Sequence, residues 1–539
     1  LSSLHTILGR DTQTSSHQPP YSLNQRLRFH LKVIASHNMA STGHHSPLED
    51  RSSGSVSPTQ TVDVEKNANH DSIKPHVEDA KISSTSPVEQ TMFGEKREQY
   101  RSEEDYMFEQ QKRSAGDHKF NRLGWKKLTI CLIVEAIALG ALSIPSAFAT
   151  LGMVAGVLVS VGIGFIAIYT SYIVGQVKVK FPQVSHYADA GQLMMGRFGY
   201  ELIGAMFVLQ LTLLVGSHCL TGTIAFLNLS DNAICSLVFG IISAIILFLV
   251  AVPPSFSEVA ILGYIDFASI IIAIGIVIIG TGVRKNQASV TPTLTEWSAW
   301  PKEGTTFADA WVALTNIVFA YSFAMCQFSF MDEMHTPTDY VKSIYALGII
   351  EIFIYTITGA LVYAFVGTGV QSPALLSAGP TLSKIAFGIA LPVIFISGSI
   401  NTTVIARYIH GRIFKDSVIR YINTKMGWIT WLAVVAVITV AAWIIAEAIP
   451  FFSDLLGIMS ALFVSGFTFY FPALMWFLLI KEGKWNATRW NIILSIVNAA
   501  VFVLGLLVLV CGTYASVKDI KDQYAKGTVG GSFTCAPIG

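Results

Sequence analysis

The chain has 539 residues, 52% of them hydrophobic and only 13% charged, with a formal net charge of +1. A soluble globular protein carries about 25% charged residues, so this composition excludes an ordinary soluble domain and points to a bilayer. The near-zero net charge supplies no field to gather nucleic acid. The six cysteines (Cys131, Cys219, Cys235, Cys326, Cys511, Cys535) have neither metal-site nor disulfide-framework spacing. Cys511 and Cys535 can pair if both face an oxidising outside, or remain two unrelated thiols.

Residues 1–115 are rich in Ser, Thr, His, Pro and charge, without apolar periodicity. Such a segment cannot bury enough surface to offset its ordering entropy, so a disordered cytoplasmic tail is expected. Residue 1 is Leu, whereas Met39 opens Met-Ala-Ser-Thr-Gly; the native start is expected at Met39, with residues 1–38 foreign to it. Neither start carries a secretory signal peptide, which leaves the first transmembrane helix as signal anchor. The Ser, Thr and Lys residues of the tail suit phosphorylation and ubiquitin attachment.

A transmembrane domain is expected over residues 116–512, followed by an extracellular tail over 513–539. Within it, eleven apolar runs each approach the about 20 residues needed to cross a bilayer. They span roughly 127–150, 152–176, 199–226, 232–251, 257–282, 308–331, 342–366, 381–406, 427–448, 453–478 and 490–512. The first contains Leu139-Gly140-Ala141-Leu142-Ser143-Ile144-Pro145. A helix breaker at mid-bilayer leaves backbone groups unpaired, which is tolerated only where they face protein or a ligand cavity. Helix 1 is therefore expected to be broken, as in secondary transporters. Glu135 in the same run is an ionisable group in apolar surroundings, which marks a functional site by default. Runs 1 and 2 are separated only by Leu151-Gly152, room for no more than a tight hairpin. With the N-terminus inside, Lys and Arg number eighteen in inside loops against seven outside, the bias that sets orientation.

Eleven helices divide as five plus five plus one, with helices 1 and 6 as corresponding members of two inverted repeats. The helix 6 stretch Phe319-Ala320-Tyr321-Ser322-Phe323-Ala324-Met325-Cys326-Gln327-Phe328-Ser329 mixes small, polar and aromatic residues. It contains neither Gly nor Pro, so a break there is less evident than in helix 1; ordinary aromatic packing is the alternative. The other intramembrane ionisable groups are His218, Asp266 and Glu351. Glu135 and then Asp266 are the candidate proton carriers, while His218 and Glu351 are expected near an aqueous end. In helix 8, Ser397-Gly398-Ser399-Ile400-Asn401-Thr402-Thr403 offers Ser399, Thr402 and Thr403 to a sodium ion, or to interhelical hydrogen bonds.

The stretch Glu135-Ala-Ile-Ala-Leu-Gly-Ala-Leu-Ser-Ile-Pro145, followed by Ala-Thr-Leu-Gly152, resembles the amino acid/auxin permease family, in particular its fungal neutral amino acid permeases. Met331-Asp332-Glu333-Met334 and the eleven-helix layout with a long N-terminal tail are similar as well. The resemblance covers about residues 115–512. It implies an all-α integral membrane protein with a LeuT-like 5+5 inverted repeat plus one helix, and amino acid symport, usually driven by protons in the fungal members.

An amino acid zwitterion needs donors for its carboxylate and acceptors for its ammonium, and unwound backbone supplies both. Gly140, Ala141 and Leu142 are the expected N–H donors; Ala136, Ile137 and Ala138 the expected carbonyls, with Leu139 between the two sets. In helix 6, carbonyls from Phe319, Ala320, Tyr321 and Ser322 are candidates for the ammonium. Phe319, Tyr321 and Phe323, with no charge from Trp311 to Met331, favour a neutral side chain. The leading reading is thus a proton-coupled symporter of neutral aliphatic or aromatic amino acids in a plasma membrane. A vacuolar exporter, a sodium-coupled symporter of the same fold and a non-transporting receptor are the alternatives. Neither a metal cluster nor a nucleophile–base constellation marks the membrane region as an enzyme, and no cofactor is implied.

Overall fold

A computed structural model describes residues 123–288, 296–415, 417–526 and 533–535. The expected N-terminal tail lies outside the described residues. Among these, nine helices are long and apolar enough to cross a membrane, and two shorter apolar helices join them. In chain order they are α1 (Trp125–Leu151), α2 (Met153–Lys180), α3 (Tyr187–Leu229), α4 (Ser236–Val250), α5 (Phe256–Ala288) and α6a (Phe307–Ala320), continued by the short α6b (Gln327–Asp332). Then follow α7 (Tyr340–Val366), α8 (Pro380–Ile413) and α9 (Lys425–Ala448). The last two are α10 (Phe452–Ile480) and α11 (Arg489–Ala525). Each falls on one of the eleven apolar runs. The apolar window of α1 is 94% buried inside the protein and that of α8 83%, against 28% for α11, so α1 and α8 form the centre. Phe165, Ile279, Phe353, Val437 and Val510 stand exposed on the outward faces of α2, α5, α7, α9 and α11. Such side chains suit lipid rather than water.

One local expectation fails in an informative way. α1 is one unbroken helix with Pro145 inside it. A proline removes only its own N–H, here the partner of the Ala141 carbonyl, and the rest of the ladder closes around it. The break sits in helix 6 instead, where Tyr321–Cys326 separate α6a from α6b. Helix 11 runs on past residue 512, as an α-helix over Thr513–Lys526.

The α1–α2 hairpin is as tight as its two-residue spacer requires. Gly152 takes φ +80°, and a Cβ there would lie 2.5 Å from the Trp300 carbonyl carbon, so both its backbone and its neighbour demand glycine. The loop beyond α5 lies against this hairpin. Ser298 and Ala299 carbonyls accept the Met153 and Val154 N–H groups at 3.0 Å each, filling two of the orphan donors that open α2. The Tyr363 hydroxyl of α7 accepts the Ser298 N–H at 3.0 Å and fixes the loop.

The opposite face, where α1 begins, is held by polar side chains. Lys178 of α2, only 4% exposed, bonds Asp332 at 2.6 Å and the carbonyls of Pro182 and Val184 at 2.9 and 2.7 Å. Arg407 of α8 pairs with the buried Glu333. His186, pushed down to about 3 by burial and therefore neutral, shares a 2.9 Å hydrogen bond with Ser329. Backbone closes the seam: Leu123 N–H donates to the Glu333 carbonyl at 2.8 Å, and His335 N–H donates to the Leu123 carbonyl at 3.1 Å.

Cys535 pairs with Cys235 at the start of α4, across a sequence separation of 300. This corrects the Cys511–Cys535 alternative; Cys511 is a free thiol.

Candidate functional site

The helix 6 break is made by anchors on other helices, not by its own residues. The Tyr321 hydroxyl lies 3.2 Å from Ser160 of α2, and its ring meets the edge of Tyr355 at a centroid distance of 5.1 Å. Gln327, which opens α6b, donates to the Ser171 carbonyl at 3.0 Å and also bonds the Ser171 hydroxyl. Both stubs are thereby pinned to α2, and the chain between them spans the gap in single turns. The last carbonyls of α6a have no continuing helix to serve them and carry the negative end of its dipole.

α1 crosses this break at Gly140. A Cβ on Gly140 would lie 2.8 Å from Ala320 Cα, 3.0 Å from Ala320 Cβ and 3.2 Å from the Tyr355 hydroxyl. The glycine thus serves close approach rather than helix breaking. Tyr355, fully buried on α7, places its hydroxyl 3.0 Å from the Ala136 carbonyl of α1 and 3.0 Å from the Ala320 carbonyl of α6a. Ala136, Gly140, Ala320 and Tyr321 therefore converge on one buried point. Ala138, Leu139, Ala141 and Leu142 are buried on the same helix, and Phe319, Ser322 and Phe323 around the break. The expected N–H donors Gly140, Ala141 and Leu142 belong to continuous α1, so in this conformation their N–H groups serve the helical ladder.

Glu135 is 4% exposed, and its carboxyl oxygens find no donor stronger than the Cys326 thiol. The Cys326 thiol at the foot of the break lies beside it and points toward Asn401 of α8 at 3.9 Å. Glu351 is fully buried, with both oxygens unpartnered, and sits within electrostatic reach of Glu135. It lies one turn before Tyr355, in the interior rather than near an aqueous end. His218 is likewise fully buried, 3.5 Å from the Ser397 hydroxyl. Asp266 is 1% exposed, with Oδ1 unpartnered. It stands three residues along α5 from Gly263, whose position faces Ile130 and Val134 of α1.

On α8, Ser399, Thr402 and Thr403 donate to the carbonyls of Ile396, Gly398 and Ser399 in their own helix, at 2.7, 2.8 and 3.0 Å. The hydroxyl that reaches α1 belongs to Ser397, which donates to the Val134 carbonyl at 2.5 Å. Sequence reasoning missed Ser397 and Tyr355 as contacts to α1. Tyr355 carried a readable signal: a tyrosine buried in a membrane run must find a partner for its hydroxyl.

The sequence profile described as "Transmembrane amino acid transporter protein" matches residues 121–518. The "N amino acid transport system protein" of Neurospora crassa is 61% identical over 425 residues, 78% of this chain and 90% of that protein. A "Transmembrane transporter" of Fusarium pseudograminearum is 30% identical over 419 residues, covering 78% and 88% respectively. Among solved structures, MhsT in complex with L-phenylalanine aligns with TM-score 0.49 and 13% identity, over 71% of this chain and 98% of that one. With a helical bundle that crosses the membrane many times and a profile covering nearly all of it, the chain belongs to the transmembrane amino acid transporter family.

Proposed function

We propose that the protein is a proton-coupled symporter of neutral amino acids, and that ligand binds where α1 crosses the break of helix 6. The observation that carries this reading is the convergence of the Ala136 and Ala320 carbonyls on one buried point beside the Tyr321 ring, in a helix 6 stretch free of charge from Trp311 to Met331. Carbonyl oxygens at a helix C-terminus suit an ammonium. The helix 6 stretch brings no charge of its own, which suits an uncharged side chain, because a buried unpaired charge is costly. The 61% identical Neurospora protein, named for amino acid transport, supports the substrate class. Glu135 is the coupling group: a buried carboxyl beside the site, with no partner to compensate a permanent charge.

Uptake of labelled leucine and phenylalanine by cells expressing the full chain tests this. Uptake is expected to collapse with an uncoupler, to ignore sodium, and to be competed by neutral but not by charged amino acids. Sodium dependence would move the coupling site to Ser397 and the α1 carbonyls; absence of uptake by surface-located protein would favour a receptor.

The same reading places the basic face inside and the Cys235–Cys535 pair outside, in the plasma membrane. Cys235→Ser then frees Cys535, and a membrane-impermeant maleimide should label intact cells expressing this variant but not the wild type. Labelling only after permeabilisation would invert the orientation or put the protein in an internal membrane.

A further inference from the structure

The Tyr355 hydroxyl has one proton and faces two carbonyls, each at 3.0 Å. The Ala136 carbonyl also accepts the Gly140 N–H of its own helix, whereas the Ala320 carbonyl ends α6a and has no continuing helix to serve it, in surroundings with no water exposure to make good the loss. The Ala320 carbonyl closes α6a, so it also carries the partial negative charge of a helix end. A neutral hydroxyl gives this helix end a single donor and no charge, whereas a primary ammonium offers three donors and a positive charge. Gly140 is what lets the hydroxyl sit here: a Cβ in its place would come 3.2 Å from the same hydroxyl.

We infer that the Tyr355 hydroxyl is a stand-in, occupying in the ligand-free protein the place that the substrate's ammonium takes between Ala136 and Ala320. This rests on the proposed amino acid site. Tyr355 is then a positioning residue that keeps α1, α6a and α7 in register while the site is empty. It gives way on binding, its ring remaining against Tyr321. Substrate pays for displacing it, so the hydroxyl lowers affinity and selects ligands that bear an ammonium.

The test is calorimetric titration of the purified full chain with leucine and with 4-methylpentanoate, which has the same skeleton without the ammonium, for wild type and Tyr355→Phe. The expected result is roughly five-fold tighter leucine binding by Tyr355→Phe, the equivalent of one ordinary hydrogen bond, with no gain for 4-methylpentanoate. A purely structural strap predicts the opposite, weaker or unchanged leucine binding together with a lowered melting temperature, and that result overturns the inference. Should the variant not fold, the structure of wild type with phenylalanine bound decides. Tyr355 withdrawn from both carbonyls supports the stand-in; both hydrogen bonds intact overturns it. Wild type that binds no leucine at all refutes the amino acid site itself, and the inference with it.

Discussion

Glu135→Gln is expected to abolish concentrative uptake while leucine still binds and equilibrates. The substitution keeps the shape of the side chain and removes only its ability to carry a proton. The Glu135 oxygens meet no donor stronger than the Cys326 thiol, so a neutral amide costs the fold little that the carboxyl did not already cost. A proton moving with substrate contributes about 2.3 kcal/mol per 100 mV of membrane potential, worth roughly 50-fold in accumulation. The variant should lose that entire factor, measured as the steady-state ratio of labelled leucine inside and outside energised cells. Glu351, buried within electrostatic reach, is the internal control. If Glu351→Gln loses accumulation and Glu135→Gln keeps it, the coupling group has been assigned to the wrong helix.

The second large effect is expected at Gly140. In Gly140→Ala the new methyl meets Ala320 Cα at 2.8 Å, a backbone atom that cannot swing aside, and the Tyr355 hydroxyl at 3.2 Å. Overpacking of this kind costs typically about 1–3 kcal/mol, and here the strain falls on the α1–α6a crossing where ligand is bound. KM for leucine should rise about tenfold or more, with surface expression retained. Gly275→Ala on α5 is the matched control, because nothing lies within 4 Å of its added Cβ. Equal transport by both alanine variants would remove Gly140 from the site.

What could be read from sequence followed the range of the forces involved. The eleven spans are legible because bilayer thickness fixes run length, and the Gly152 hairpin because no other residue suits so short a turn. The position of the break was not. Pro145 is a strong local signal, yet the loss of one N–H is absorbed within α1. The actual break, at Tyr321–Cys326, contains no breaker and is imposed by Ser160, Ser171 and Tyr355 from α2 and α7. Tertiary contacts overrode local propensity there. The same limit explains helix 8: about 100° of rotation per residue decides which hydroxyl meets α1, and it is Ser397 that bonds the Val134 carbonyl. The disulfide partner of Cys535, 300 residues away, lay beyond any spacing rule.

The most direct measurement is made on purified protein in sodium-free liposomes holding a pH-sensitive dye, with leucine added outside and no imposed proton gradient. Leucine entering on its own gradient should drag protons with it, acidifying the lumen in the wild type and not in Glu135→Gln. Leucine entering the wild type without any change in luminal pH would contradict proton symport outright.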